Sequence, residues 1–408
     1  MIRYYPTLEN ITKAVKRIQL VCNPTALQLN DELSQRHTAN IFLKREDLGP
    51  VRSYKLRGAF NKMYYSKPKS VVTCSAGNHA QGVAYSCREL NISGDIFMPT
   101  ITTQQKIQKV RQFGGKNVNI FLEGANLDES FEIAKQHAQS KNKDFVHPFD
   151  DEKVIEGQST VGVEIFEQME GKMIDYIFLP VGGGGLAAGV SSFIKLFSPN
   201  TKIIGVEPFG APSMYAAFKA NQVVKLDKID TFVDGAAIKR VGDLNFPICK
   251  QNLDDIILIH EGHVCSKIIQ LYNNNGLIIE PAGVLSLCAL ERYPDIKGKN
   301  IVSIVSGGNS DIFRMPEILE KSLVYEGLKH YFKIHFAQKA GSLKEFVLKV
   351  LSPTDDIIYF RYTRTINKET GPVVIGLQVK EGGDIQRIMS SMESSGFQYE
   401  KLNSLAEE

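Results

Sequence analysis

Four short segments of the 408-residue chain hold residue types able to do chemistry, and each adjoins a predicted regular element. In SAGNH (75–79), Ser75, Gly77, Asn78 and the amides of a helix start can cradle a carboxylate. A plain βα turn with an N-cap fits the same residues. PVGGGGLAAG (180–189) places Gly182, Gly183, Gly184 and Gly185 between an apolar strand and a helix. Their amides can converge on an anion under the dipole of the next helix. A flexible linker is the alternative, but linkers do not usually join a strand to a helix in this way. No Lys-Ser/Thr pair follows the glycines, and G-x-G-x-x-G is completed only with Ala187 in the last place. A mononucleotide and another small phosphate both stay open. SIVSGGN (303–309) ends a strand in Ser306, two glycines and an amide, which a tight turn alone would also explain. The fourth segment, KREDLGPVRSYKLRGAF (44–60), sets Lys55 near a helix start among Tyr54, Leu56, Ala59 and Phe60. Desolvation there drives an amine toward its neutral, nucleophilic form. A lysine snorkelling to the surface is the ordinary alternative.

These segments fall where a parallel sheet would place them. IFLKRE (41–46), VVTCS (71–75), DIFMP (95–99) and VNIFLE (118–123) read as strands, with helices over 53–66, 77–90, 103–113 and 127–140. MIDYIFLPV (173–181), KIIGVE (202–207), DIILI (255–259) and NIVSIV (300–305) are further apolar runs between helical patterns. Strands alternating with helices predict a parallel sheet covered on both faces, with ligands beyond the carboxyl ends of its strands. Near the N-terminus, residues 7–19 put Leu8, Ile11, Val15 and Ile18 on one helical face, with Thr7 as N-cap. After about residue 325 the order becomes βαββαβ: HYFKIHFAQ (330–338), SLKEFVLKVL (342–351), IIYFRYTRT (357–365), PVVIGLQV (372–379), DIQRIMSSMESSGF (384–397) and QYEKLN (398–403). That is a ferredoxin-like unit appended to a larger α/β body.

Composition narrows the classes. Hydrophobic residues make up 43% and charged residues 23%, which excludes disorder, a collagen-like chain and a coiled coil as the main architecture. With 48 basic against 45 acidic residues the net charge is +3, and nothing points to nucleic acid. Six scattered cysteines with no C-x-x-C pair read as reduced thiols. No run of 18 apolar residues and no signal-like N-terminus appear, so a soluble, cytoplasmic protein with no membrane partner is expected.

Taken together, the four segments resemble the fold-type-II pyridoxal-phosphate enzymes, and within them the threonine dehydratase (threonine ammonia-lyase) branch. SYKLRGA is similar to that family's cofactor-lysine motif, SAGNHAQG to its asparagine loop, GGGGL to its phosphate loop and SGGN to its pyridine-nitrogen site. EPAG (280–283) and HPFDD (147–151) are further family-like pieces. The resemblance implies two open α/β subdomains in a catalytic part, 1–325, the smaller subdomain spanning about 43–153, followed by an ACT-like regulatory domain, 326–408. It implies pyridoxal 5'-phosphate carried by Lys55 as a Schiff base. Asn78 would meet the cofactor's phenolic oxygen, Gly182 to Gly185 and the Leu186 amide its phosphate, and Ser306 its ring nitrogen. Ser75, Ala76, Gly77, Asn78 and His79 would hold the carboxylate of L-threonine. The implied reaction is β-elimination and deamination to 2-oxobutanoate and ammonia, the first step toward isoleucine, in a homotetramer with isoleucine as effector. A serine at the ring nitrogen supplies a hydrogen bond but no charge, so the ring is a weak electron sink that suits prompt β-elimination.

Departures and rivals also carry information. Ala340 stands where the family usually has proline before the glycine turn of the regulatory domain. Ala76 replaces the serine expected of racemases in this family, and a methyl group cannot deliver a proton. Glu207 and Ala211 match the racemases' divalent-metal site, but Ser213 replaces an aspartate, so no required metal is expected. The rival readings are a serine/threonine dehydratase of catabolic type, a serine racemase, a β-replacing synthase, a non-catalytic amino-acid sensor and a nucleotide-binding α/β enzyme. KLRGA after the lysine argues against sulfhydrylases and threonine synthases.

Overall fold

A computed structural model describes residues 4–293, 295–362 and 369–402. The chain divides into two compact units, Met1–Asp311 and Ile312–Glu408. Strands of the first unit, in chain order, are β1 (Leu27–Leu29), β2 (Asn40–Arg45), β3 (Ser70–Cys74), β4 (Ser93–Met98) and β5 (Val118–Leu122). They continue as β6 (Asp144–Phe145), β7 (Tyr176–Pro180), β8 (Lys202–Pro208), β9 (Asp255–Ile259) and β10 (Asn300–Val305). Two sheets result, one of order β1-β2-β10-β7-β8-β9 and a smaller one of order β5-β4-β3-β6. All pairings in both are parallel except β1 with β2.

The apolar runs form central strands because both faces are covered. Every residue of β7 is buried, and helices Glu152–Gln168 and Gly185–Phe197 pack beside it in one continuous core. The chain lays down β1 and β2 of the larger sheet, crosses to build the smaller sheet from β3 to β6, and returns at β7. The helix Lys55–Ser66 therefore lies on the crossover between the two sheets. β2, at the start of the span expected for the smaller subdomain, belongs to the larger sheet through its register with β10. The first helix, Leu8–Ile18, is capped by Thr7 Oγ1, which accepts from Asn10 N at 3.2 Å. Its buried stripe is Ile11, Ala14 and Ile18, while Leu8 in the first turn is 47% exposed, against the sequence expectation. No helix among the described residues is long and apolar enough to cross a membrane.

The second unit runs β11 (Lys329–Ala337), β12 (Asp356–Tyr362), β13 (Thr370–Gln378) and β14 (Gln398–Lys401) in the antiparallel order β12-β13-β11-β14. Helices Ser342–Val350 and Asp384–Ser394 complete the βαββαβ order read from the sequence. Alternation on β11 and β13 turns Phe332, Ile334, Phe336, Val373, Ile375 and Leu377 onto those helices, where Phe346, Ile388 and Met392 meet them. Residues 363–365 and 403, expected at two strand ends, lie outside the described residues. The unit also takes in helix Met315–Tyr325, ahead of residue 326, because Glu320 accepts from Tyr331 Oη at 2.6 Å and pairs with Lys329.

Candidate active site

Lys55 is the first residue of its helix, and the end of β10 places it there. Ser53 bridges to Gly307, and Tyr54 N donates to Ser306 O at 3.2 Å. The Lys55 ammonium donates to Pro148 O at 2.9 Å and lies 5.2 Å from the centre of the Tyr54 ring. Burial pushes this amine down to about 8, with the Glu280 carboxylate pulling the other way. A large fraction of Lys55 is thus available as the neutral amine near pH 8.

The HPFDD stretch ties Lys55 to the glycine loop. After Pro148, the Phe149 ring lies against Gly183, and its Cβ and backbone lie against Gly185. The loop is clamped from outside: Asn245 Nδ2 donates to Phe149 O at 3.1 Å and to Gly183 O at 2.9 Å. Asp150 accepts from the amides of Asp243 and Leu244 at 3.0 and 2.9 Å. Gly184 (φ +92°) turns the chain into helix Gly185–Phe197, whose N-cap makes no side-chain hydrogen bond. Its first amides, those of Gly185 and Leu186 included, have no side-chain cap and can meet an anion.

SAGNH follows β3 in the same way. Ser75 Oγ accepts from Gly77 N at 3.1 Å, and helix Asn78–Leu90 also starts without a side-chain cap. Asn78 Nδ2 donates to Glu280 Oε1 at 2.7 Å, while Asn78 Oδ1 accepts from Asn309 Nδ2 at 2.8 Å. Ser306 is buried at the carboxyl end of β10. Residues read from four separate segments are thus joined: Lys55 to the glycine loop through Pro148 and Phe149, Tyr54 to Ser306, and Asn78 to the SGGN segment through Asn309. Ala76 and Gly77 are half-buried, with free space where a Gly77 side chain would be. The His79 ring is different. Its Nε2 lies 3.0 Å from Val146 O, and burial with Lys55 nearby pushes it down to about 3, so it is a neutral interior group.

Glu280 was not among the residues singled out by sequence, although EPAG contains it. Burial pushes its carboxyl up to about 7, with Asp234 adding to the push and the Asn78 and Asn309 donors opposing it. Its signal in the sequence is an acidic residue directly before a proline that opens a helix, Pro281–Arg292.

The site fits pyridoxal phosphate on its own chemistry. Two uncapped helix starts after parallel strands suit a phosphate and a carboxylate, and a desolvated amine suits an aldehyde. Ser53 Oγ and His79 Nδ1, both buried beside this junction, have no hydrogen-bond partner among the described residues. At the candidate metal position, Glu207 is engaged by protein donors: Met214 N and Tyr215 N at 2.8 Å each, and Ser213 Oγ at 3.4 Å. No group of three or more His, Cys, Asp or Glu side chains among the described residues could hold a metal ion.

Comparison with known proteins agrees with this chemistry. Residues 18–307 match the family described as "Pyridoxal-phosphate dependent enzyme", and residues 320–406 match "C-terminal regulatory domain of Threonine dehydratase". The chain is 49% identical over 402 residues to the biosynthetic L-threonine dehydratase of Halalkalibacterium halodurans, covering 97% of this chain and 96% of that one. It is 47% identical to the Bacillus subtilis enzyme of the same name, over 97% and 95%. Among solved structures it is similar to processed threonine deaminase isoform 2 of Solanum lycopersicum, with 39% identity and a TM-score of 0.72 over 78% of this chain and 90% of that one. Maize serine racemase, at 27% identity, also gives a TM-score of 0.72, over 79% and 99%.

Proposed function

The chain belongs to the family of pyridoxal-phosphate dependent enzymes, and we propose that within it Lys55 deaminates L-threonine to 2-oxobutanoate and ammonia, both holding the cofactor and moving the substrate proton. The observation that carries this reading is the partly buried Lys55 amine, whose hydrogen bond to Pro148 O and place beside the end of β10 bring it to the glycine-loop side of the site. When bound, pyridoxal phosphate draws electrons from the α-carbon of an amino acid. The amides of Gly182 to Gly185 and Leu186 hold its phosphate, Asn78 its phenolic oxygen and Ser306 its ring nitrogen. Ser75 and the amides from Ala76 to His79 bind the threonine carboxylate and so aim the Cα–H bond at Lys55. The neutral form of Lys55 Nζ, well populated near pH 8, accepts the α-proton. Loss of the β-hydroxyl as water leaves an enamine, which takes up water to give 2-oxobutanoate and ammonia. The His79 ring takes no part, being neutral and directed at Val146 O. An oxoacid assay on threonine and serine tests this reading. Turnover of threonine should vanish in Lys55→Ala, and a variant with near-native activity would refute it.

The second unit is the regulatory domain, and we assign isoleucine as its effector. Gly341 (φ +91°) sits at the start of helix Ser342–Val350 with free space around it, and that helix has no side-chain cap. An amino-acid carboxylate can reach those amides. Ser342 Oγ donates to Ala337 O at 2.6 Å and Lys339 O at 3.1 Å, which holds the turn closed with Ala340 in place of proline. Threonine saturation measured with and without millimolar isoleucine tests the assignment, with a shift of about 5- to 150-fold in affinity expected. An unchanged curve would leave the domain an assembly module. A cytoplasmic homotetramer is the state the family resemblance supports, and sedimentation of the intact protein tests the tetramer.

A further inference from the structure

We propose that Glu280 and Asn309 are positioning residues that lock the Asn78 amide with its nitrogen as the donor presented to the cofactor, a role that rests on the reading of Asn78 as a cofactor contact. An asparagine amide has two nearly identical ends, and only one of them can donate. Which end faces the site is fixed here from outside, step by step. Val51 O can only accept, and it takes a hydrogen bond from Asn309 Nδ2 at 2.9 Å. The Lys109 ammonium can only donate, and it reaches Asn309 Oδ1 at 3.2 Å. Those two partners set the Asn309 amide, whose Nδ2 also donates to Asn78 Oδ1 at 2.8 Å. Asn78 must then turn its nitrogen the other way, and Glu280 Oε1 accepts one of its hydrogens at 2.7 Å. The second oxygen, Oε2, accepts from Asn309 N at 3.1 Å, so one carboxylate grips both asparagines. A reversed Asn78 would set an oxygen against the carboxylate and a nitrogen against a nitrogen. One hydrogen of Asn78 Nδ2 remains for an acceptor in the site.

The packing admits the carboxylate here only because residue 307 is a glycine. A Cβ on Gly307 would lie 2.4 Å from Glu280 Oε1 and 3.2 Å from Asn78 Nδ2, so the glycine of SGGN is the floor against which the glutamate rests. A glutamine at 280 would offer one oxygen and one NH2 to two donors, and one of them would lose its acceptor. Burying a carboxylate is costly unless its acceptors are used, and both oxygens of Glu280 are.

The test uses cofactor-free and loaded forms of the full chain, in four versions: native, Asn78→Ala, Glu280→Gln and the double variant. Pyridoxal phosphate affinity by equilibrium dialysis and the visible band of the loaded protein are the readouts. Glu280→Gln should weaken cofactor binding by about 10- to 100-fold, the range for a hydrogen bond to a charged group. It should also shift the visible band in the same direction as Asn78→Ala does. The double variant should bind no more weakly than the weaker single variant, because both act through one amide. Asn309→Ala, which leaves the carboxylate intact, should give the same band shift, so the outcome does not depend on how well Glu280→Gln folds. Native-like affinity and band in Glu280→Gln, or losses that multiply in the double variant, would overturn the proposal while leaving Asn78 a cofactor contact. Native-like binding by Asn78→Ala would instead remove Asn78 from the cofactor site, and the proposal with it.

Discussion

Replacing Gly183 with alanine tests whether the glycine loop and Lys55 are one mechanical unit. A Cβ at Gly183 would lie 2.4 Å from Phe149 Cγ and Cδ1 and 2.5 Å from Cδ2. Carbon atoms settle at about 3.5–4.0 Å, so the ring must retreat by roughly 1 Å. It has little room to do so. His147 stands edge-on at 4.7 Å between ring centres, and a Cβ on Gly185 would lie 3.0 Å from Phe149 Cβ. The displacement passes along the chain to Pro148, whose carbonyl accepts from Lys55 Nζ at 2.9 Å. Overpacking of this kind costs about 1–3 kcal/mol in stability. A 1 Å misplacement of a reacting group can cost about 100-fold in rate. The expected result for Gly183→Ala is a modestly lowered unfolding midpoint with a drop of about 100-fold in kcat for threonine. Adding Phe149→Ala should recover part of that loss, since the clash partner is gone. A Gly183→Ala enzyme with native kcat, or a double variant no better than the single one, would refute the coupling.

Further expected outcomes concern the Arg57 network, the Lys55 amine, and the Glu207 and Ala76 positions. Arg57→Met strands Glu46 and part of the Glu164 charge in the interior, so the denaturant midpoint should fall by the equivalent of about 3–5 kcal/mol; a loss below 1 kcal/mol would show that the network is not a stabilising anchor. Because burial lowers Lys55 from 10.5 to about 8, cofactor uptake by the cofactor-free protein should accelerate as pH rises through about 8. In the same protein the folded state gives up this proton before the unfolded state does, so stability should rise between about 8 and 10.5; a flat uptake rate across that range would refute the assignment. Chelator should leave threonine turnover unchanged, since protein donors already engage Glu207, and L-serine should yield negligible D-serine with Ala76 in the SAGNH turn. Magnesium-restored activity or efficient racemisation would overturn these two expectations.

The chemistry was legible wherever it was local. SAGNH, GGGGL and SGGN each begin within two residues of the end of an apolar strand, so pattern alone placed them there, whereas Lys55, ten residues beyond β2, was read from its place at a helix start. The partners that tune them were not legible, because they are distant in sequence. Pro148 is 93 residues from Lys55, and Glu280 is 202 residues from Asn78. Nothing in EPAG or HPFDD taken alone says which atom each will touch. Short elements escaped for a different reason. Helix Asp31–His37 buries only Leu33, and β1 is a three-residue edge strand, so neither carries a periodic stripe to detect. Adjacency in SAGNH puts His79 beside the turn but does not say where its ring points. Its helix start instead directs the ring to Val146, while the backbone amide stays with the turn.

One difficulty remains in a site built on the first residue of a helix, since helix ends fray. The residues after Lys55 resolve it. Two positions on, Arg57 is buried and turns its fork onto two carboxylates: Nε to Glu46 Oε2 at 2.8 Å, Nη1 to Glu164 Oε1 at 2.5 Å and Nη2 to Glu164 Oε2 at 2.8 Å, with Nη1 also donating to Thr160 Oγ1 at 3.0 Å. Lys44, on β2, completes the set through Glu164 at 2.6 Å and Thr25 O at 2.7 Å. One turn of helix is thus pinned to β2, to the segment that follows it and to helix Glu152–Gln168. From the other side, Gly82 of the Asn78 helix lets the Lys55 backbone come close, where a Cβ would lie 3.1 Å from Lys55 C and Leu56 N. An ion network of this kind adds little net stability compared with apolar packing, because its desolvation is costly. What it adds is a fixed direction, since a planar guanidinium forked onto two carboxylates admits one orientation of its helix. The arginine of KLRG and the glycine of AQG therefore act on the site from behind: they hold the first turn of the helix still, so that the Lys55 amine meets the Pro148 carbonyl in one place.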